Sequence, residues 1–310
     1  MTRRDILLYS LVLLCAGAGW GLSQPLSKIA VSTGYEHFGL IFWQCIIGAG
    51  VMAVVSAAQG IALPRHRGAL FTYLAISLLG MVVPGSTFYI SISHLPSGVM
   101  SIIISLVPML AFPIALALGL ERFALRRLAG LSAGLGGVML LILPEASLPD
   151  AAMLVWIPLA LVGPLFYALE GNYVARVGTA GVDAFRVLYG ASLAGALLTL
   201  PLAIGTGQFI SPFRAYGLPE YAFIICSAMN VFLYAGYVWL VGRAGAVFAM
   251  QVSYLVTGFG MIWGMAILSE SYSPYIWAAM ALVLLGVLLV QPRRNEAVAP
   301  VTPIGETGLP

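Results

Sequence analysis

Charged side chains are scarce in this chain: Asp, Glu, Lys and Arg together make up 8% of its 310 residues. A soluble domain carries roughly 25% charged residues, so these few could not cover a water-facing surface. Hydrophobic residues reach 61% and the mean hydropathy is +1.01. Apolar runs of about 20 residues, each long enough to cross a bilayer, recur over nearly the whole length. The composition therefore predicts an integral membrane protein surrounded by lipid.

Cysteine and histidine are also rare, with three residues of each. Cys15, Cys45 and Cys226 lie inside apolar runs, which favours buried free thiols over disulfides. The three histidines fall in separate connections, so the sequence offers neither a clustered set of metal ligands nor a Cys–His or Ser–His pair. No Walker-type Gly-Lys-Ser/Thr loop occurs either. We expect no enzymatic activity, no cofactor, no metal and no nucleic-acid partner.

Ten apolar runs predict an all-α fold with ten transmembrane helices. The predicted spans are 6–31, 38–58, 69–91, 97–119, 127–144, 151–174, 184–204, 218–241, 244–268 and 274–291. The start of the chain resembles a signal peptide, because Arg3 and Arg4 precede an apolar run. That run continues to Ala30, however, so we interpret it as the first helix.

The stretch from His94 to Leu140 recurs later in the chain. Both copies contain an apolar run, a glutamate and a second apolar run with glycine, and Glu121 and Glu270 are equivalent, 149 residues apart. Other matches without a gap are Leu106/Leu255, Val107/Val256, Ala117/Ala266, Ala129/Ala278, Leu135/Leu284 and Leu140/Leu289. We interpret this as an internal duplication, with five-helix repeats over 6–144 and 151–291. The polar, Pro-rich tail over 292–310 is predicted to be disordered and cytoplasmic.

Basic residues lie almost entirely on one side of the predicted bundle. If the N-terminus is inside, the inner segments hold 11 of the 14 basic residues. These are Arg3, Arg4, Arg65, Arg67, Arg122, Arg126, Arg127, Arg176, Arg243, Arg293 and Arg294. The positive-inside rule then predicts a multi-pass protein of the cell membrane with both termini in the cytoplasm.

The duplication and the orientation together predict an inverted repeat. Because each repeat holds five helices, an odd number, the second repeat enters the membrane from the opposite side. Glu121 then lies at the inner face and Glu270 at the outer face. Inverted repeats are typical of secondary transporters, whose two halves give alternating access to a site near the midplane.

Several motifs resemble those of the EamA-type permeases in the drug/metabolite transporter superfamily. They are Trp20-Gly21 followed by Lys28, Ala111–Gly119 leading into Glu121-Arg122 and Gly130, Gly136-Gly137-Val138, and the second-copy residues Glu270 and Gly286. The resemblance covers residues 6–291. It implies a ten-helix carrier with two EamA domains that exports or exchanges small metabolites, such as amino acids, without ATP.

Polar and aromatic side chains fall near the middle of several spans. We predict that eight of them bind substrate: Trp20, Gln24, Ser105, Asn230, Tyr234, Gln251, Tyr254 and Thr257. Amides and phenols beside aromatic rings suit a small molecule with a polar head and an apolar or planar body. The alternative is hydrogen bonding between helices, which small polar residues, Asn and Gln supply in any bundle.

Two ionisable residues within spans are the candidates for coupling or gating, since charge inside a membrane is costly and usually functional. Lys28 would reach the outer headgroups, hold a substrate carboxylate or close an outer gate. Glu170 would pair with Arg176 or exchange protons, because a carboxyl group removed from water favours its neutral form. Glu121 and Glu270, each preceding the next helix of its repeat, are interpreted as helix N-terminal or gate carboxylates.

These features together predict a secondary active transporter. Its partners would be a small-molecule substrate, the bilayer and, as a candidate coupling ion, the proton. The alternative is a membrane channel or a structural membrane subunit without coupled transport. Counterflow driven by substrate separates a carrier from a channel.

Overall fold

The structure is a computed structural model that describes residues 3–59, 62–142, 148–249 and 251–290. This part of the chain contains helices and no strand, which confirms the all-α prediction. The helices are α1 Arg3–Val31, α2 His37–Gln59, α3 Arg67–His94, α4 Ser97–Ala117, α5 Leu125–Ile142, α6 Ala151–Val177, α7 Ala184–Gly205, α8 Leu218–Ala244, α9 in two pieces, Ala246–Ala249 and Val252–Leu268, and α10 Pro274–Val290. The tail predicted over 292–310 lies outside the described residues.

The number of helices agrees with the ten predicted spans. Helices α1 to α8 are each long and apolar enough to cross a membrane. The longer piece of α9 and the whole of α10 have 17 residues each, which is at the short end of the range for a spanning helix.

Proline interrupts the regular geometry of α3 and α4. In α3 a π-helical turn, Leu78–Val82, comes just before Pro84. In α4 the helix breaks between Ile104 and Val107, immediately before Pro108. Proline lacks a backbone N–H and its ring clashes with the carbonyl four residues earlier. Each proline therefore divides its helix into two pieces that can pack on different neighbours.

Helices α5 and α10, the last helices of the two repeats, pack closely against each other. Their approach depends on Gly130 and Gly286. A Cβ atom at Gly130 would lie 2.7 Å from the carbonyl oxygen of Gly286, and one at Gly286 would lie 2.6 Å from that of Gly130. The repeat makes Gly130 equivalent to Ala279 and Gly286 equivalent to Gly137. A Cβ atom at Gly137 would lie 3.0 Å from the carbonyl oxygen of Ala279. The same close contact is therefore made twice, as an inverted repeat requires around its symmetry axis.

The two repeats exchange their first helices. Helix α1 packs against α8 and α9 of the second repeat, whereas α6 packs against α3 and α4 of the first. The bundle therefore contains two equivalent groups of helices, which we call the α1 group (α1, α8 and α9) and the α6 group (α3, α4 and α6). Helices α2 and α7 pack against each other beside these groups.

Candidate functional site

Glu270, just after α9, joins the α1 group to the α6 group at one end of the bundle. Its carboxylate accepts hydrogen bonds from Ser97 N at 2.8 Å, Ser97 Oγ at 2.9 Å and Gly98 N at 3.3 Å. These are groups at the N-terminus of α4, where the helix dipole and unpaired N–H groups favour a negative charge. The bonds cross from one group of helices to the other.

Lys28 and Tyr272 complete this set of contacts. Tyr272 donates its hydroxyl to Glu270 Oε2 at 2.7 Å, and Lys28 Nζ lies 3.8 Å from Glu270 Oε1. Lys28 also donates to the carbonyl of Leu95 at the end of α3. Burial, the largest cause, raises the pKa of the Tyr272 hydroxyl. The phenol therefore stays protonated and remains a hydrogen-bond donor. We call these residues, together with Ser97 and Gly98, the Lys28–Glu270 cluster.

The sequence interpretation of Glu270 needs a correction. Glu270 does precede α10, but the N-terminus that it caps is that of α4, in the other repeat. The reason lies in Ser269, which ends α9 in the left-handed conformation at φ 55°. This turn directs the following residue across the end of the bundle instead of along α10.

Helices α4 and α9 approach closely beneath the cluster. A Cβ atom at Gly264 would lie 2.6 Å from Ser97 Oγ, and Gly260 lies directly against Ser101. The second piece of α4, Val107–Ala117, packs instead on α6, with contacts to α5 and α10. The close contact between α4 and α9 therefore belongs to the Glu270 end.

One face of α1 leads from the cluster toward the middle of the bundle. Trp20, Gln24 and Lys28 follow one another at four-residue intervals, so they share that face. Gln24 is only 6% exposed, and its Oε1 has no hydrogen-bond partner among the described residues. The ring of Trp20 meets that of Tyr237 on α8 edge to face, with centroids 5.5 Å apart.

Asn230 lies where α8 contacts α1. Its Oδ1 accepts from Ser23 Oγ at 3.4 Å, and its Nδ2 lies 3.6 Å from Cys226 Sγ. Ser27 Oγ is 3.7 Å from the same sulfur. The bond from Ser23 is thus a helix-to-helix hydrogen bond of the kind that the sequence left open as the alternative to substrate binding, whereas the contact with Cys226 lies within α8.

Glu170 faces α3 at its π-helical turn. A Cβ atom at Gly80 would lie 2.6 Å from the Glu170 carboxyl oxygens, so only glycine leaves room for this side chain. Tyr167 on the same helix and Tyr234 on α8 both interact electrostatically with the carboxyl group. Within the described residues, no ion pair or hydrogen bond engages it, and Arg176, the partner considered from sequence, is exposed.

The other predicted binding residues occupy different surroundings. Ser105 donates to Ile102 O at 2.7 Å and Thr257 donates to Ser253 O at 2.9 Å, so both bond to their own helices. The hydroxyl of Tyr254 is buried without a hydrogen-bond partner in the part of the chain described. Gln251, at the break in α9, is exposed.

Some residues of the site were not predicted from sequence as site residues. Gly98 and Leu95 act through backbone groups, which leave no signal in residue type, and Ser97 acts through both its backbone N–H and its hydroxyl. Tyr272 could have been found as the phenol two residues after Glu270. Gly80 could not, because nothing in the sequence pairs it with Glu170.

The opposite end of the bundle carries a partly buried ion pair, in which the Glu121 side chain is 33% exposed. Arg127, at the start of α5, is 6% exposed and its Nη1 lies 2.5 Å from Glu121 Oε2. Its guanidinium group also lies 5.5 Å from the centroid of the Phe112 ring. Glu121 is thus engaged by its own repeat, whereas Glu270 bonds to the other repeat.

A cavity of about 240 Å³ lies away from these residues. Trp43 and Ile47 of α2, the 206–217 connection and the start of α8 line it. At its rim the Tyr35 hydroxyl donates a hydrogen bond to Glu220. Burial, followed by this hydrogen bond, raises the pKa of Tyr35 to about 12. The cavity contains none of the predicted substrate-binding residues.

A sequence profile decides the family. The profile of the EamA-like transporter family matches residues 7–143 and 154–291, one match for each repeat. The chain belongs to the EamA-like transporter family. This membership and the apolar helices make it a multi-pass membrane protein of the transporter type.

Of two further comparisons, one found a similar structure, and it is informative about the fold only. A solved structure, described only as the crystal structure of a protein, resembles this EamA-like chain with a TM-score of 0.62 and 19% identical residues. The similarity covers 90% of this chain and 97% of the other, so the fold is shared over nearly the whole length. A search among curated proteins found no significant match.

Proposed function

We propose that this EamA-like protein is a secondary active transporter that exports or exchanges small metabolites, such as amino acids, across the cell membrane. Transport would follow alternating access around a site between the α1 and α6 groups. In the predicted orientation the Glu270 end faces outward and both termini face the cytoplasm. Family membership and the inverted repeat support this proposal.

The observation that carries the proposal is the unequal contact at the two ends. At the Glu270 end, the Lys28–Glu270 cluster and the close contact of α4 with α9 join the two groups of helices. The equivalent glutamate at the other end, Glu121, pairs within its own repeat. Because the two repeats are equivalent but make different contacts at the two ends, each repeat can adopt the conformation of the other. This exchange would open the Glu270 end and close the Glu121 end. The present arrangement corresponds to a carrier closed to the outside.

Glu170 is the proposed site of proton coupling. Its carboxyl group is half-buried and lacks an ion-pair partner within the described residues, and removal from water favours the neutral form of a carboxyl group. The helices packed against α6 bring little charge: α4 has no charged residue, and α3 has Arg67 and His94 only at its ends. Phenols face it instead, Tyr167 from α6 and Tyr234 from α8.

Counterflow in proteoliposomes tests this proposal. Vesicles loaded with a mixture of amino acids and related metabolites are expected to take up a labelled member of the pool with saturable kinetics, several-fold faster than empty vesicles. An imposed pH gradient should change the rate for wild type and for Glu36→Gln, whose carboxyl group is exposed in a connection. It should have no effect on Glu170→Gln.

Two results would contradict the proposal. Flux that does not saturate and does not depend on the internal substrate would indicate a channel. An unchanged response of Glu170→Gln to the pH gradient would exclude Glu170 as the coupling residue. The first result rejects the carrier mechanism, whereas the second rejects only the assignment of the proton.

A further inference from the structure

The basic groups of the spans are already engaged, whereas an acidic group is available. Lys28 pairs with Glu270 and donates to Leu95. Arg186, which also lies within a predicted span, pairs with Asp183 at 3.1 Å. Glu170, by contrast, has neither an ion pair nor a hydrogen bond to its carboxyl group in the described chain. A substrate between the two groups of helices would therefore meet a carboxyl group that can ionise and little positive charge.

Aromatic rings extend from Glu170 toward α1. Tyr167 and Tyr234 lie within electrostatic range of the carboxyl group, and Tyr237 follows Tyr234 one turn further along α8. Tyr237 meets the ring of Trp20 at 5.5 Å. The faces of such rings attract cations, most strongly in the case of tryptophan, and they also pack against planar apolar groups.

Gln24 adds an unpaired acceptor. It lies one turn from Trp20 on the same face of α1, and its buried Oε1 has no partner among the described residues. A buried acceptor without a hydrogen bond is unfavourable, because the hydrogen bonds to water that it lost are not replaced. An N–H donor on a bound molecule would satisfy it, whereas a carboxylate or phosphate group would not.

We propose that the substrate is an organic amine, with a protonated ammonium group on an apolar or planar body. The ammonium group would pair with the Glu170 carboxylate and lie against the rings of Tyr234 and Tyr237. The body would pack toward Trp20, and an N–H group would reach Gln24. This inference rests on the proposed carrier function and, within small metabolites, favours amines over the amino acids named there as an example. In the described chain, Lys28 and Arg186 already have carboxylate partners, so neither is left to receive a free carboxylate of the substrate.

The exchange step conserves charge. When the amine binds, the O–H bond of protonated Glu170 breaks and its proton passes to water, so the carboxylate pairs with the ammonium ion. When the amine leaves, Glu170 takes up one proton. One proton then moves in one direction for each singly charged amine that moves in the other.

Three probes with the same phenyl ring test the charge requirement. They are 2-phenylethylamine as the cation, L-phenylalanine as the zwitterion and 3-phenylpropanoate as the anion. Binding is measured on purified protein by the shift in thermal unfolding temperature, and exchange is measured by counterflow of labelled amine in proteoliposomes. Glu170→Gln removes the charge, Glu170→Asp retains it, and Glu36→Gln is the matched control at an exposed glutamate.

The amine is expected to stabilise wild type and Glu36→Gln and to exchange with saturation. Loss of the charge-assisted bond in Glu170→Gln should weaken binding by at least about tenfold, with partial retention in Glu170→Asp. The anion should compete at least about tenfold less well than the amine, since it gains no such pair.

Equal or better competition by the anion or the zwitterion would overturn the amine assignment, as would undiminished amine binding by Glu170→Gln. If the metabolite mixture exchanges while the amine does not, the carrier function stands and this inference is wrong. If no pool exchanges in any variant, both the carrier function and the inference are rejected.

Discussion

Replacement of Glu270 by glutamine is expected to lower the rate of exchange by at least about tenfold. Removal of one partner from a buried, hydrogen-bonded charge pair typically costs about 2–5 kcal/mol, and about 1.4 kcal/mol corresponds to a factor of ten. The Glu270 carboxylate accepts bonds from Ser97, Gly98 and Tyr272 and pairs with Lys28. Glutamine keeps the shape but removes the charge, and it leaves Lys28 unpaired. The conformation that is closed at the Glu270 end would then be populated too rarely for a full transport cycle.

A double-mutant cycle checks that the effect arises from the ion pair. Counterflow is compared among wild type, Lys28→Met, Glu270→Gln and the double variant, with Glu36→Gln as the control for loss of an exposed carboxylate. Because the double variant has no unpaired charge, it should transport better than Glu270→Gln alone. Exchange by Glu270→Gln at the wild-type rate would show that the cluster is not part of the transport cycle.

Replacement of Gly80 by alanine is expected to reduce transport by about tenfold without lowering thermal stability. The new Cβ atom would lie 2.6 Å from the Glu170 carboxyl oxygens, so this flexible side chain must move. If the carboxyl group is displaced, transport slows. A tenfold slower rate corresponds to a transport barrier that is higher by about 1.4 kcal/mol. Alanine is also the better helix former, by roughly 1 kcal/mol, which argues against unfolding as the cause.

Gly171→Ala is the matched control for this change. Gly171 adjoins Glu170 on α6, and a Cβ atom there would meet nothing within 4 Å. Counterflow and thermal unfolding in detergent are measured for both variants. Equal transport by Gly80→Ala and wild type would contradict the placement of Glu170 against the π-helical turn.

Much of the fold could be predicted because the bilayer imposes simple rules on sequence. Apolar runs of about 20 residues indicated all ten helices, since a spanning segment must satisfy its backbone hydrogen bonds internally. The equivalence of Glu121 and Glu270 indicated the duplication, and an odd number of helices per repeat made it an inverted one. These inferences required only local patterns.

The packing of one helix on another could not be read in the same way. That α1 packs on the second repeat and α6 on the first depends on contacts between residues far apart in the chain. The same limit applies to the site. Lys28 and Glu170 could be selected because charge is rare in a span. Whether their partners were Glu270, Arg176 or a substrate depended on distances that no local pattern contains.

Residue type also did not distinguish ligand-binding from packing roles among neutral polar residues. Ser105 and Thr257 bond to carbonyls of their own helices, as serine and threonine often do within helices. Gln24, with the same polarity, is buried with an unpaired oxygen. Only the surroundings of these side chains separate hydroxyls that already have hydrogen bonds from an amide oxygen that has none among the described residues.

Accessibility of residue 101 from outside tests alternating access most directly. Ser101 is fully buried beneath the Lys28–Glu270 cluster and lies against Gly260. The measurement is the rate at which a membrane-impermeant thiol reagent modifies Ser101→Cys in proteoliposomes, after replacement of Cys15, Cys45 and Cys226 by serine. We predict slow labelling at rest, faster labelling when a transported substrate drives exchange, and fast labelling without substrate when Glu270→Gln is added. A rate that is the same under all three conditions would contradict a gate at this end.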